Sequence, residues 1–110
     1  MTQLFMYTRE RTCGDQHLAH QCLQEFGVPY AEINISREPD AAQELEELID
    51  CLAVPTLIVA DEDRRPTARP SPIGPYQSVR NVDRGSVISE PSREGLRQFL
   101  IKHALLQPAT

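Results

Sequence analysis

Residues 3–36 have the sequence QLFMYTRERTCGDQHLAHQCLQEFGVPYAEINIS, in which two short apolar runs flank a segment whose apolar residues recur at helical spacing. The run at 3–8 predicts a buried strand. The helical spacing predicts a helix over about 13–26, which Gly27 ends. A second strand is expected over about 30–36. Because two strands joined by a helix favour a right-handed parallel crossover, this unit indicates an α/β fold.

The rest of the chain continues the alternation of helices and strands. Pro39 suits the first turn of a second helix, and 55–60 predicts a third buried strand. A short last strand is expected at 85–89, followed by a third helix with Ser92 as its N-cap. The apolar positions assigned to the second helix are Ala42, Leu45, Leu48, Ile49 and Leu52. This order predicts a βαβαββα sandwich of three layers, with a four-stranded mixed sheet whose last two strands form a hairpin.

Residues 61–84 interrupt that pattern between the last two strands. The segment holds Pro66, Pro70, Pro72 and Pro75, together with five arginines and four acidic residues. We expect a mobile polar loop, and the alternative is a loop that docks a protein partner. Such an insertion is tolerable because lengthening a hairpin loop from about 6 to about 24 residues costs only about 1.2 kcal/mol of closure entropy.

Composition limits the classes of function that remain. The chain has 110 residues, 16 acidic and 11 basic side chains, and a formal charge of −5. We expect one domain over 1–110. A single lysine, Lys102, argues against nucleic-acid binding, and no apolar run approaches the roughly 18 residues of a membrane span. Three cysteines without an export-signal pattern favour a cytoplasmic protein, which we expect to be a monomer.

Cys13 is the candidate reactive group, because it follows the first strand and stands at the amino end of the first helix. Unpaired N–H groups and the helix dipole favour an anion there. An ordinary thiol is only about 3% thiolate at pH 7, and helix N-termini raise that fraction by lowering the pKa. Arg9 and Arg11 would add to this effect, whereas Asp15 would oppose it. The alternative is a cysteine without a role.

Four short motifs follow one another along the chain: Cys13-Gly14-Asp15-Gln16, Val54-Pro55-Thr56, Gly85-Ser86 and Glu90-Pro91-Ser92. Their order over residues 3 to about 103 resembles the glutaredoxin branch of the thioredoxin superfamily, and most of all the mycoredoxin-like proteins. The resemblance implies a thioredoxin-like fold of the glutaredoxin type. It also implies a cis Val54–Pro55 bond beside the Cys13 thiol, where the Val54 backbone is offered to a bound thiol or peptide.

The activity that the resemblance implies is thiol–disulfide exchange between protein disulfide clients and a small thiol such as glutathione or mycothiol. Since Gln16 stands where relatives have a second cysteine, the reaction would be monothiol and would run through Cys13 alone. The implied neighbours of the sulfur are Thr12, Gly14, Asp15, Gln16, Arg9 and Arg11. The implied thiol-binding residues are Val54, Pro55, Glu90, Pro91 and Ser92. Leu52 and Ala53 replace the basic residue and threonine that commonly help to hold glutathione.

The other two cysteines have different expectations. Cys22 lies roughly 13.5 Å from Cys13 along the helix, beyond the reach of a disulfide. Because Cys22 falls on the apolar face of the helix, we expect it in the core. Cys51 ends the second helix and is a candidate resolving cysteine, with simple packing as the alternative.

No bound metal or cofactor is expected. Cys13, His17 and His20 share one helix face at a spacing that can bind a metal, but a solvated face is the preferred interpretation. Monothiol relatives whose active-site motif begins with Cys-Gly also hold an iron–sulfur cluster between two subunits. The resemblance to them covers only Cys13-Gly14 here.

Two other functions remain open beside a thiol–disulfide oxidoreductase. One is a non-catalytic binding module of glutaredoxin fold that docks a protein partner. The other is an enzyme similar to arsenate reductases, which keep basic residues just after their cysteine and a larger helical insert that this chain lacks.

Overall fold

The computed structural model describes residues 2–11 and 13–108, so Thr12 lies outside the described residues. The elements are β1 (Gln3–Thr8), α1 (Gly14–Phe26), β2 (Ala31–Asn34), α2 (Pro39–Ile49), β3 (Thr56–Ala60), β4 (Val87–Ser89) and α3 (Arg93–Lys102). This order confirms the predicted βαβαββα arrangement. No helix within the two described ranges has the length and apolar character needed to cross a membrane.

The four strands form one mixed sheet in the order β2-β1-β3-β4. β1 and β2 are parallel, with Tyr7 opposite Ile33. β3 is antiparallel to β1 and β4 is antiparallel to β3, so that Thr56 lies opposite both Tyr7 and Ser89. This register brings the carboxyl ends of β1 and β4 and the start of β3 to one end of the sheet. The candidate site lies at this end of the sheet.

Helices cover both faces of the sheet, because the side chains of the central strands alternate between two cores. Leu4 and Met6 of β1 face the core shared with α1 and α3. Phe5 and Tyr7 face the core shared with α2. With both faces covered, the central strands are buried almost throughout, which explains their continuous apolar sequence. The architecture is the three-layer, thioredoxin-like fold that the sequence predicts.

α2 ends earlier than the sequence predicts. Its last residue is Ile49, and Asp50 takes a left-handed conformation with φ 63°, which ends the helix. Leu52 therefore lies beyond the helix and is 44% exposed, and Ala42 is only half-buried. The buried residues of α2 are Ala41, Leu45 and Ile49. The apolar pattern misled the prediction because Leu52 matches the helical period by chance.

The 61–84 segment packs back onto the fold, in contrast to the loose loop expected from its composition. Arg80 and Asp83 form isolated bridges with Ser89 and Ile88 at the edge strand β4. Arg84 is buried, and its Nε donates a 2.8 Å hydrogen bond to a backbone carbonyl within the same segment. Backbone bonding along β4 and a buried arginine thus fix a segment that has no hydrophobic periodicity.

Candidate active site

Cys13 is the N-cap of α1, at the end of the sheet where β1 and β4 end and β3 begins. Its backbone is extended, with φ −125° and ψ 171°, and its carbonyl accepts the first helical hydrogen bond from the N–H of His17 at 3.0 Å. The side chain makes no capping hydrogen bond, and the residue is exposed. A sulfur placed there lies at the positive end of the helix dipole and is accessible to a reactant.

The Val54–Pro55 turn lies at the same end of the sheet, just before β3, and its peptide bond is cis. Thr56 Oγ1 donates to the carbonyl of Ala53 at 2.7 Å and lies 2.6 Å from Ser89 Oγ. Because Thr56 has only one hydroxyl hydrogen, Ser89 is the donor in the second bond. The carbonyl of Pro55 in turn accepts the N–H of Glu90 at 2.7 Å. The turn is therefore tied to the end of β4 and to the residue that follows it.

Gln16 is buried and holds the loop that carries Cys13. Its Oε1 accepts the N–H of Arg9, and its Nε2 donates to the carbonyl of Arg9, each at 3.1 Å. The amide thus satisfies two backbone groups that no strand or helix would satisfy. Sequence reasoning treated Gln16 as a missing cysteine and overlooked this role. An amide side chain at the third position of a helix, after a loop of charged residues, was the available signal.

In the described structure, neither of the two arginines expected to assist Cys13 makes a hydrogen bond to it. Arg9 donates from Nη2 to the carbonyl of Leu52 at 3.5 Å, and Arg11 is exposed. Between them, Glu10 is held by two hydrogen bonds from Arg37, which lower the pKa of the Glu10 carboxyl. A further positive charge near the sulfur comes from a residue that the sequence did not indicate.

Arg80, in the 61–84 segment, binds the first turn of α1. Its Nη1 and Nη2 donate to the two carboxylate oxygens of Asp15 at 2.6 and 2.8 Å, and Nη1 is also 3.9 Å from Glu90 Oε1. Hydrogen bonding to Arg80 lowers the pKa of Asp15, although burial acts in the opposite direction. The pKa of Arg80 is raised mainly by Asp15, with smaller contributions from Glu90 and Cys13. Asp15, expected to oppose the thiolate, is therefore a carboxylate whose negative charge is paired with Arg80.

The Glu90-Pro91-Ser92 stretch joins β4 to α3. Glu90 has φ 46°, a left-handed conformation that non-glycine residues adopt at a cost of about 1 kcal/mol or more. Ser92 caps α3, since its Oγ accepts the N–H of Gly95 at 3.0 Å. The Oδ1 of Asn81 accepts both the N–H of Ser92, at 2.8 Å, and its hydroxyl, at 3.2 Å. The amino end of α3 is thus covered by the residue that follows Arg80.

The chain's three cysteines are all free thiols. Cys22 is fully buried in the core beneath α1 and α3, as predicted. Cys51 lies two residues beyond the end of α2, half-buried against the other core, and its role as a resolving cysteine stays a prediction.

The helix face that bears His17 and His20 has another use. His20 Nε2 lies 2.7 Å from Glu32 Oε1, which ties α1 to β2. Within residues 2–11 and 13–108, no group of three or more metal-ligating side chains is found. The described structure therefore gives no support to the metal-binding interpretation of this face.

Comparison with known proteins identifies one family. The family model described as Glutaredoxin matches residues 4–63 of the chain, which include Cys13 and Pro55. No curated protein and no solved structure matches the sequence. Arg80, Asn81 and Glu90 all lie beyond the matched residues.

Proposed function

Because this chain belongs to the glutaredoxin family, we propose that it reduces mixed disulfides through Cys13, with a low-molecular-weight thiol as cosubstrate. Family membership supports a function of the thiol–disulfide oxidoreductase type. The observation that carries the proposal is the exposed, uncapped sulfur at the amino end of α1, at the same end of the sheet as the Val54–Pro55 turn. The monothiol form follows from Gln16, which carries no sulfur.

The proposed reaction has two exchanges. In the first, the Cys13 thiolate attacks the small-thiol sulfur of a mixed disulfide, and the client leaves as a thiolate that takes a proton from solvent. In the second, the thiolate of another small-thiol molecule attacks the same sulfur and releases Cys13 as a thiolate. The client is reduced, and two small-thiol molecules end as their disulfide. The amino end of α1 stabilises the Cys13 thiolate in both steps.

The proposed binding residues for the small thiol are Val54, Pro55, Glu90, Pro91 and Ser92. They lie just before β3 and just after β4, at one end of the sheet. Leu52 and Ala53 offer no charge to glutathione, which favours mycothiol or another thiol and a place in the mycoredoxin-like branch. We further propose a cytoplasmic monomer of one domain, with protein disulfide clients and without a nucleic-acid, membrane, metal or iron–sulfur partner.

The direct test is intact-mass spectrometry after exposure to the disulfides of glutathione and of mycothiol. We expect one small-thiol adduct on the wild-type protein, none on Cys13→Ser, and removal of the adduct by excess thiol. The control Cys51→Ser should give the same adduct as the wild-type protein. Loss of an internal disulfide in Cys51→Ser would instead assign Cys51 as the resolving cysteine. A wild-type protein that forms no adduct with either disulfide contradicts the proposal.

A non-catalytic module that docks a protein partner is the second candidate function. The observation that favours it is Tyr76, a fully exposed aromatic residue with a left-handed backbone in the 61–84 segment. This candidate requires Cys13 to react with iodoacetamide at pH 7 no faster than a free cysteine does. The proposed enzyme requires a faster reaction, so one rate measurement separates the two functions.

A further inference from the structure

We propose that Arg80 is a positioning residue for the Cys13 reaction. The 61–84 segment holds the Arg80 side chain in the site, where it offsets the charges of Asp15 and Glu90. The inference rests on the proposed function and deepens it. In this proposal the 61–84 segment supplies positive charge near the sulfur. From the sequence, that charge was expected from the residues next to Cys13.

The two carboxylates both lie at the reactive end of the sheet, within reach of the same guanidinium. Asp15 is in the first turn of α1, two residues after Cys13, and Glu90 is bonded through its N–H to Pro55. Their side chains are 25% and 26% exposed, so water screens them only in part. Two such charges disfavour a thiolate and repel an anionic reactant.

Arg80 contacts both carboxylates. Its guanidinium binds Asp15 with two parallel hydrogen bonds and places Nη1 near Glu90. Two parallel bonds fix the direction of the planar group as well as its distance. In the described part of the chain, Arg80 is the one cation in ion-pair contact with Asp15 or Glu90.

The backbone on both sides of Arg80 is anchored. Arg80 pairs with Ser89 in an isolated bridge, and the N–H of Asn81 donates to the Ser89 carbonyl at 2.7 Å. The Asn81 side chain then bonds Ser92 at the start of α3. The buried Arg84 holds the next part of the segment. The guanidinium is therefore presented by a fixed support rather than by a freely moving loop.

Among the other charged groups close to Cys13 in sequence, Arg9 is bonded to a backbone carbonyl, Glu10 is paired with Arg37, and Arg11 is exposed to solvent. His17 lies one turn further along α1. Removing Arg80 thus leaves Asp15 and Glu90 without a compensating charge, and it should make the thiolate harder to form.

The test measures alkylation of the full-length protein in a Cys51→Ser background, since Cys22 is buried. The alkylation midpoint is the pH at which the rate with iodoacetamide reaches half its maximum. Arg80→Gln should raise this midpoint by about 0.5 to 1 pH unit. It should also lower the rate with anionic iodoacetate, relative to neutral iodoacetamide, by about threefold.

The matched control is Arg69→Gln, which removes the same charge from an exposed side chain of the same segment. It should leave both quantities unchanged. Asp15→Asn should lower the midpoint, and Asp15→Asn combined with Arg80→Gln should return it close to the wild-type value. If Arg80→Gln alone fails to fold, this double variant is compared with Asp15→Asn, and the double variant should have the higher midpoint.

Equal midpoints and equal reagent ratios for folded Arg80→Gln and Arg69→Gln overturn the assignment of Arg80, and so do equal midpoints for the double variant and Asp15→Asn. These measurements report on the sulfur and use no cosubstrate. A protein whose alkylation depends on Arg80 but which forms no small-thiol adduct would contradict the proposed function and leave the role of Arg80 standing.

Discussion

The amino ends of α1 and α3 lie at the same end of the sheet, but the two helices are capped differently. The first has Cys13 as its N-cap, with no hydrogen bond from the side chain. The second has Ser92, whose hydroxyl accepts from Gly95 and which is itself bound by Asn81. The same local dipole therefore faces an exposed sulfur at one helix and is satisfied within the chain at the other. The difference indicates that α1 is built for reaction and α3 for support.

The largest effect should follow from exchanging the two kinds of cap. Cys13→Ser should abolish adduct formation and turnover, because the proposed exchange needs the exposed Cys13 sulfur at the amino end of α1. Serine is a preferred N-cap, so the same change should raise the free energy of unfolding by about 0.5 to 1 kcal/mol. Urea unfolding beside the mass-spectrometric assay measures both. A variant that loses activity and stability together would show that Cys13 has a structural role instead.

The loop before α1 should be the next most sensitive feature. Gln16→Ala removes two hydrogen bonds and leaves the N–H and carbonyl of Arg9 without their partner. We expect the free energy of unfolding to fall by about 2 to 3 kcal/mol. The control Gln43→Ala removes an exposed glutamine of α2 and should cost far less. Equal losses for the two variants would show that the hydrogen bonds between Gln16 and Arg9 contribute nothing to stability.

Local elements of the fold could be predicted, and contacts between distant residues could not. α1 was located well because Cys13 and Gly27 mark its ends, and both mark real changes of backbone conformation. The end of α2 was missed because Asp50 gives no strong sequence signal for a left-handed turn. Hydrophobic periodicity reports which face of an element is buried, but it says little about where the backbone stops.

The candidate site divides in the same way. Cys13 and the Val54–Pro55 turn were found from short motifs, and the structure places them at one end of the sheet. Arg80 was assigned to a loose loop, because its partner Asp15 is 65 residues away and the intervening sequence has no periodicity. Arginines that pair across such distances leave no pattern in a single sequence.

A smaller effect is expected where Asn81 approaches α3. A Cβ atom on Gly95 would lie 2.2 Å from Asn81 Oδ1, so Gly95→Ala must displace that side chain. Alanine otherwise stabilises a helix by about 1 kcal/mol relative to glycine. We therefore expect Gly95→Ala to give no gain in the wild-type protein and a gain of up to about 1 kcal/mol when Asn81→Ala is also present. Equal effects in the two backgrounds would mean that Asn81 does not close this helix end.

The smallest effect concerns the pH dependence of the pair between Asp15 and Arg80. The pKa of Asp15 is lowered in the folded protein, chiefly by its hydrogen bonds with Arg80. The pair therefore stabilises the fold above the unfolded-state pKa of about 3.9, and this contribution is lost as the pH falls through the lower folded-state value. Since both side chains are partly exposed, we expect Asp15→Asn to reduce stability at pH 7 by less than about 1 kcal/mol.

The difference between the wild-type protein and Asp15→Asn should shrink as the pH is lowered below about 4, and urea unfolding at a series of pH values measures it. Asp40→Asn is the control, because Asp40 also lies in the first turn of a helix but has no ion pair in the described structure. Subtracting its effect leaves the part that belongs to Arg80. If the two variants behave alike at every pH, the pair adds nothing to stability, and any effect of Arg80 on Cys13 then acts through charge alone.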